Sequence, residues 1–276
     1  MQSGVRRFSI QRSGDSGTER VLDTVAEEEP LAIRIGHWFK DAHVTEEFAV
    51  TMRTPGHDRE LTAGLLLSEG VIGQAGDIDS MRALGSEEAS NEILVELAKG
   101  VDFEAWRAAR AGLMSSSCGV CGKRSREAIT DALPVFDEGG FQIDAALVER
   151  LPGLLSEQQQ AFSQTGGLHA AAAFSTSGDL RAIFEDIGRH NALDKLIGWA
   201  VWNGCLPLDD QVLFLSSRSS FELIQKAAMA GARVLATVGG PSSLAIETAR
   251  QVGMTLIGFV RGGRFNIYSG EWRVHS

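Results

Sequence analysis

The pattern of apolar and polar positions predicts regular structure from about residue 29 onwards. In the first half, alternating apolar positions and short apolar runs predict strands, and apolar residues three or four apart predict helices. The predicted strands cover residues 31–35, 47–52 and 93–97, and the predicted helices cover residues 57–67 and 103–113. Asp58 and Glu60 fall in the first turn of the earlier helix, where acidic side chains are favourable.

The second half of the chain alternates strand and helix patterns. Residues 144–162 have helical spacing, and Pro152-Gly153 is expected to break that helix. The other predicted strands cover residues 169–174, 180–184, 212–215, 233–238 and 254–260, and the helices cover 190–201, 220–230 and 241–252. This alternation indicates an α/β layered sandwich with a parallel or mixed sheet. In such sheets, binding sites gather at loops beyond the strand ends.

The length of 276 residues allows two lobes, since domains usually contain about 100–150 residues. We expect residues 1–28, which are polar and charged, to form a flexible tail. Residues 29–135 are expected to form a smaller N-terminal α+β lobe that ends in a Cys-Gly-Val-Cys loop. Residues 136–276 are expected to form the C-terminal α/β lobe that binds the ligand.

Charge and hydropathy exclude some classes of partner. The formal net charge of −10 argues against nucleic acid as the main partner. No apolar run approaches the roughly 18 residues that a membrane span needs. Arg6-Arg7 begins like a twin-arginine export signal, but polar residues follow it in place of an apolar segment. We therefore expect a cytoplasmic protein, in which a Cys-x-x-Cys pair is more often catalytic or metal-binding than a structural disulfide.

The chain has three cysteines, and two of them, Cys118 and Cys121, form a Cys-x-x-Cys pair between glycines. The glycines allow a tight turn, and basic residues at positions 123, 124 and 126 favour the thiolate form. Half of a metal site, a reversible dithiol and a carrier of sulfane sulfur all fit this pair. Cys205 has no partner nearby in the sequence and is expected to be a small structural residue.

Three polar loops resemble anion sites at helix starts. In residues 185–195, Arg189 and His190 flank a predicted helix start, whose free amide groups favour an anion. Asp194 lies four residues after His190, so its carboxylate can orient the imidazole, although ordinary capping gives the same pattern. Residues 216–222, with Arg218, and residues 239–243 follow the next two strands. Three such loops suggest one rim that binds a polyanion.

A fourth loop, residues 259–266, places Arg261 and Arg264 on either side of two glycines. Backbone amides and guanidinium groups can both reach a ligand from such a turn. Phe259 and Phe265 can offer ring faces to a flat heterocycle, although we expect Phe265 in the core.

Zinc is an alternative, with four candidate ligands: Cys118, Cys121, His169 and His190. A zinc deaminase carries glutamate two residues after its histidine and proline before its cysteine pair. Here Ala171 and Ser117 occupy those positions, and the cysteines precede the histidines. A thioredoxin-type dithiol is also disfavoured, because its motif should start a helix directly after an early strand. No structural metal is expected.

The chain resembles the formate dehydrogenase accessory sulfurtransferase family, FdhD, over about residues 31–268. Five segments carry the resemblance in order: residues 57–70, 117–122, 167–171, 185–195 and 258–261. The resemblance implies a sulfur carrier that takes sulfane sulfur from a cysteine desulfurase. It implies delivery to the molybdenum (or tungsten) bis(pterin guanine dinucleotide) cofactor before that cofactor enters formate dehydrogenase.

The resemblance also assigns residues. The family's persulfide cysteine corresponds to Cys118, while Cys121 can hold the sulfur, resolve the persulfide or protect Cys118 as a disulfide. The cofactor-binding stretch corresponds to Phe259, Val260, Arg261, Gly262, Gly263 and Arg264, to which the charge pattern adds Arg189, His190 and Arg218. The chain departs from the family at Ser217, where glycine is usual.

The family is similar in fold to cytidine deaminases, an α/β sandwich, without their zinc chemistry. A homodimer is compatible with the resemblance. Two other functions stay open: a chaperone that only holds cofactor for the dehydrogenase, and a zinc-dependent hydrolase.

Overall fold

The chain folds around two mixed β-sheets of different size. The computed structural model describes residues 4–15, 17–85, 90–111, 130 and 132–276. The strands are β1 (Val5–Gly14), β2 (Gly17–Ala26), β3 (Glu29–Phe39), β4 (Ala42–Arg53), β5 (Ile78–Ala83), β6 (Glu92–Leu97), β7 (Ile143–Asp144), β8 (His169–Phe174), β9 (Leu180–Asp186), β10 (Val212–Leu215), β11 (Val234–Thr237), β12 (Thr255–Gly258), β13 (Asn266–Ser269) and β14 (Val274–His275). The α-helices are α1 (Asp58–Ser68), α2 (Phe103–Ala111), α3 (Ala145–Ser156), α4 (Gln160–Thr165), α5 (Arg189–Trp202), α6 (Phe221–Met229) and α7 (Ser243–Gln251).

The larger sheet has the strand order β13-β12-β11-β10-β8-β9. Strands β10, β11 and β12 are parallel, and β8 is antiparallel to both β10 and β9. Strands β9, β10, β11 and β12 therefore run in one direction and end at one edge of the sheet, which we call the carboxyl edge. The loops that follow these strands are the loops that the sequence assigns to the site.

The smaller sheet has the order β4-β3-β6-β5 and lies in the N-terminal half of the chain. Strand β3 pairs antiparallel with β4 along its whole length, but parallel with β6 only from Ala32 to Gly36. The end of the β3–β4 hairpin therefore extends beyond the sheet.

Both faces of the larger sheet are buried, because alternate residues of a strand point to opposite faces. One face belongs to a core cluster that includes Ala171, Leu213, Leu235, Leu193, Leu196 and Leu223. The other face belongs to a second cluster that includes Ala172, Phe214, Ala236, Leu147, Val148 and Leu151. The first cluster also contains Ile35, Ala63 and Val95, so the smaller sheet and α1 share this core with the larger sheet. The α/β architecture with a mixed sheet is confirmed.

Helices α1 and α5 cross in close backbone contact through one glycine on each helix. A Cβ on Gly64 would collide with the backbone carbonyl of Asp194, and a Cβ on Gly198 would collide with the backbone carbonyl of Glu60. Glycine is therefore required at both positions for close approach. This crossing fixes α5 against the N-terminal half of the chain.

The prediction that residues 1–28 form a flexible tail is wrong for residues 5–26. Strands β1 and β2 pair antiparallel in a hairpin from Val5↔Ala26 to Gly14↔Gly17. Ile10 lies opposite Val21, and both side chains are half-buried. Helix α4 packs against β2. These few alternating apolar residues lie among many polar ones, which conceals the strand pattern in the sequence.

The predicted break at Pro152-Gly153 is also wrong, because α3 continues through Pro152 to Ser156. Proline removes one helical hydrogen bond. The stripe of Leu147, Val148, Leu151 and Leu155 is buried against the sheet and offsets that loss. Strands β5, β7, β13 and β14 were not predicted, since they are short or largely exposed. None of the described helices has both the length and the apolar character that a membrane crossing requires.

We predict that Gly198→Ala destabilises the fold by about 1–3 kcal/mol, because the added methyl group forces α1 and α5 apart. Urea unfolding at equilibrium measures this change. Gly153→Ala is the matched control, since Gly153 also lies in a helix and a Cβ there meets no atom within 4 Å. The control is expected to be neutral or stabilising by up to about 1 kcal/mol. Equal effects of the two substitutions would contradict the close helix contact.

Candidate functional site

The four predicted loops lie at the carboxyl edge, and backbone hydrogen bonds join three of them. The Gly239 amide donates to the Ser217 carbonyl at 3.0 Å, and the Ser242 amide donates to the Ser219 carbonyl at 3.0 Å. The Phe259 amide donates to the Gly239 carbonyl at 3.0 Å. The loops after β10, β11 and β12 therefore form one continuous surface, as the sequence predicts.

Two helices start at this edge with uncapped amide groups. Helix α5 begins after Gly188 and helix α6 begins after Ser220, and in neither case does the N-cap side chain accept a hydrogen bond from the helix. Helix α7 differs, because the Ser242 side chain accepts from the Ala245 amide. Free amide donors and the positive end of the helix dipole both favour an anion at α5 and α6.

Four arginines lie on the loops of the carboxyl edge: Arg189, Arg218, Arg261 and Arg264. Arg189 is half-buried and the other three are exposed. In the part of the chain that the structure describes, none of them forms an ion pair. On a chain with a formal net charge of −10, this edge is a local cationic surface. Guanidinium groups suit phosphate, which they bind with two parallel hydrogen bonds.

The turn at residues 261–264 presents backbone and aromatic groups together. The Arg261 amide donates to the Arg264 carbonyl at 3.1 Å, and Gly262 and Gly263 have φ of 60° and 67°. Phe259 also has a positive φ, 55°, and the residue is 37% exposed. The guanidinium of Arg261 lies 5.5 Å from the centre of that ring. An exposed ring beneath a cation offers a flat face for stacking.

Some residues of this stretch face the core. Val260 is fully buried, so the structure does not place this predicted site residue at the exposed edge. Phe265 is half-buried and packs against the second core cluster, as predicted. Ser217, where the family usually has glycine, does not have a positive φ, so the serine carries no backbone strain there.

Within residues 185–195, Asp186 and Lys195 form a buried ion pair that joins the two halves of the chain, and we call this pair the clamp. Lys195 donates to Asp186 Oδ2 at 2.7 Å and to the Thr54 carbonyl at 2.9 Å. Asp186 also accepts from the amides of Thr54 (3.1 Å) and Gly188 (2.8 Å) and from Asn191 Nδ2 (3.1 Å). Both charges are fully buried and fully hydrogen-bonded, which such a pair requires. The clamp fixes the start of α5 against the end of β4.

The rest of residues 185–195 faces the carboxyl edge, and its ion pairs differ from the prediction. His190 Nε2 lies 2.9 Å from Glu222 Oε2, so Glu222, rather than Asp194, orients the imidazole. Asp194 instead accepts from Lys226 with both oxygens at 2.8 Å and from Ser68 Oγ at 2.9 Å. The hydrogen bond to His190 lowers the pKa of Glu222. Helix α6 supplies both new partners, and no local spacing reveals them.

A cavity of about 370 Å³ lies beside His190. Its wall includes Thr51, His190, Asp194, Glu222 and Lys226. The cavity therefore connects the carboxyl edge with the buried ion pair of α5 and α6.

His169 begins β8, directly opposite Asp186 at the end of β9. Burial lowers the pKa of His169, and the positive charges of Arg189 and His190 lower it further. We expect neutral His169 at pH 7, because its ordinary pKa is 6.5. A neutral imidazole contributes a hydrogen-bonding group without adding charge to the edge.

Cys118 and Cys121 lie outside the described residues, and so does the predicted zinc arrangement that uses them. The chain enters this segment after Ala111, at the end of α2. Cys205 is half-buried and packs beside the core, in agreement with a structural role.

The model of the FdhD/NarQ family matches residues 26–275. The chain belongs to this family. The matched region includes the cysteine pair and every loop of the carboxyl edge.

Curated relatives match over nearly the whole chain. A protein of Streptomyces avermitilis, named sulfur carrier protein FdhD, is 42% identical over 275 residues, covering 97% of this chain and 95% of that protein. Proteins with the same name from Mycobacterium tuberculosis and Thermoplasma acidophilum are 43% identical over 262 residues and 40% identical over 264 residues. These matches cover 91% and 94% of this chain, and 92% and 90% of the relatives.

A solved structure from Desulfotalea psychrophila, described as a candidate formate dehydrogenase accessory protein, has a similar fold. The TM-score is 0.73 at 20% sequence identity, and the match covers 99% of this chain and 100% of the other. The likeness to cytidine deaminases stays a prediction.

We predict that the pKa of His169 lies below 6.5. Guanosine diphosphate, which carries the guanine and diphosphate groups of the expected cofactor, should raise this pKa, because its negative charge offsets the charges of Arg189 and His190. NMR titration of the imidazole signals measures both effects. Arg189→Ala is expected to raise the pKa of His169 without ligand, since it removes one repelling charge. If neither the ligand nor the Arg189→Ala substitution changed the pKa of His169, an anion site beside this histidine would be contradicted.

Proposed function

We propose that this chain is a sulfur carrier that passes sulfur from a cysteine desulfurase to the molybdenum bis(pterin guanine dinucleotide) cofactor before insertion into formate dehydrogenase. The observation that carries the proposal is the set of four arginines at one sheet edge, beside two uncapped helix starts, that form no ion pair with any described residue. The names of the relatives as sulfur carriers support the sulfur chemistry.

In the loading step, the Cys118 thiolate attacks the terminal sulfur of the persulfide on the desulfurase cysteine. The new S–S bond forms at Cys118, the old S–S bond breaks, and the desulfurase cysteine leaves as a thiolate. The step exchanges one persulfide for another and needs no oxidant or reductant. The basic residues after Cys121 favour the attacking thiolate.

The acceptor is a polyanion, and the carboxyl edge offers matching groups. Two diphosphates would bind the arginines and the amide groups at the starts of α5 and α6. A guanine ring would stack on the exposed ring of Phe259. The clamp formed by Asp186 and Lys195 holds the start of α5 in place before the ligand arrives, which reduces the ordering cost of binding.

A cofactor-binding chaperone without sulfur transfer would use the same edge and would not need Cys118. Removal of that thiol therefore separates the two functions. The cytoplasmic location and the homodimer stay predictions.

We predict that Cys118→Ser abolishes persulfide formation while guanosine diphosphate binding is unchanged. Intact-mass analysis after incubation with a cysteine desulfurase and L-cysteine measures loading, with reductant as the check that the added sulfur is reducible. Cys205→Ser is the matched control, and it is expected to load normally. Full maturation of formate dehydrogenase in cells that contain only Cys118→Ser would favour the chaperone.

We predict that the double substitution Arg261→Ala and Arg264→Ala weakens guanosine diphosphate binding by about tenfold or more, because charged hydrogen bonds to phosphate are lost. Calorimetric titration measures the affinity, and persulfide loading should be unchanged. The control replaces Arg7 and Arg20, which are exposed on the β1–β2 hairpin, by alanine and changes the net charge equally. Equal affinities of the two double variants would remove the 261–264 turn from the site.

A further inference from the structure

The protruding end of the β3–β4 hairpin carries two neighbouring exposed aromatic residues. Trp38 and Phe39 are each 42% exposed. They pair only with His43 and Ala42 of β4, because β6 stops pairing with β3 at Gly36. Two large exposed aromatic side chains at one tip are typical of an interaction surface.

Each ring has a lysine above it. Lys99 Nζ lies 4.7 Å from the ring centre of Trp38, and Lys40 Nζ lies 5.2 Å from the ring centre of Phe39. Neither lysine forms an ion pair within the described part of the chain. Three carboxylates beside the groove already have partners: Glu96 binds His43 at 2.6 Å, Glu104 binds Arg107, and Asp102 accepts from the Ala105 amide at 2.9 Å. The lysines therefore remain open to carboxylates of a partner.

A groove of about 690 Å³ lies between this tip and the start of α2. Residues 38–40 form one side, and residues 99–102, 104 and 105 form the other. We call this groove, with its two aromatic rings and two lysines, the tip groove. It suits an apolar side chain flanked by acidic residues.

We propose that the tip groove is the docking site for the sulfur donor, a protein that presents an acidic and apolar segment. This inference rests on the proposed function, because it assumes that Cys118 receives its sulfur from a protein. Charge supports this position, since the chain has a formal net charge of −10 and, away from the arginines of the carboxyl edge, repels acidic surfaces. The two lysines supply local attraction, which increases the rate of encounter.

The position of α2 also supports the sulfur donor as the partner that binds the tip groove. Helix α2 starts in the groove, and after its nine residues the chain enters the segment that contains Cys118. A helix of that length spans about 14 Å. A typical protein interface covers about 800 Å² on each partner, which is roughly 30 Å across. A donor seated on the tip groove therefore also covers the point from which the cysteine segment departs.

The test compares loading of Cys118 by two donors. Trp38→Ala and the pair Lys40→Glu with Lys99→Glu are each expected to lower the second-order rate of loading by a desulfurase about tenfold or more. Loading by inorganic polysulfide should be unchanged, because that small donor needs no docking surface. Loading of the wild-type chain by desulfurase should fall with increasing salt, and the lysine double variant should lose this dependence.

Matched controls exclude general effects. Trp272 is 39% exposed and lies beneath Arg273 at 5.5 Å, so Trp272→Ala removes a similar aromatic residue elsewhere. Arg7→Glu with Arg20→Glu changes the net charge as much as the lysine double variant. Both controls should load at the wild-type rate.

Three results would overturn the docking site: desulfurase loading within twofold of the wild type, equal loss with polysulfide, or a change from dimer to monomer in Trp38→Ala that accounts for the loss. The third result would assign the groove to a second copy of the chain. Failure of the wild-type chain to load from either donor would instead overturn the sulfur-carrier function itself.

Discussion

The buried ion pair between Lys195 and Asp186 is the interaction on which the geometry of the site depends. Asp186 ends β9 at the carboxyl edge, Lys195 lies in α5, and both bind the backbone of Thr54 after β4. Loss of one partner from such a pair typically costs about 3–5 kcal/mol, because it leaves a buried charge. The pair fixes the direction of α5, and with it Arg189 and His190, relative to both sheets. The glycine contact between α1 and α5 also holds this helix against the N-terminal half of the chain.

Positively charged side chains without described ion pairs lie on two separate surfaces, the carboxyl edge and the tip groove. On this acidic chain, four arginines at one sheet edge form no ion pair within the ranges that the structure describes, and helix starts there add partial positive charge. Lys40 at the protruding hairpin and Lys99 after β6 each lie over an exposed aromatic ring next to α2. The proposed carrier uses these two surfaces in turn, one for the donor protein and one for the anionic acceptor.

The sequence predicted every strand of the larger sheet except the short edge strand β13, because the patterns of these strands are local. Strand β10 has its predicted bounds, and the loops after β10, β11 and β12 meet as expected. The partners of His190 and Asp194 were not predictable, since Glu222 and Lys226 lie about thirty residues away and only the packing of α5 on α6 joins them. The β1–β2 hairpin was missed because tertiary contact, not local pattern, supports its few apolar residues.

The most direct test of the account follows labelled sulfur from donor to cofactor. The chain is loaded from a desulfurase with L-cysteine that carries radioactive sulfur, freed of donor, and mixed with the molybdenum bis(pterin guanine dinucleotide) cofactor. Chromatography then separates protein from cofactor. The account predicts that the label moves to the cofactor and that excess guanosine diphosphate blocks the transfer, because the nucleotide occupies the carboxyl edge. Label that stays on the protein, or moves equally well with the nucleotide present, would contradict it.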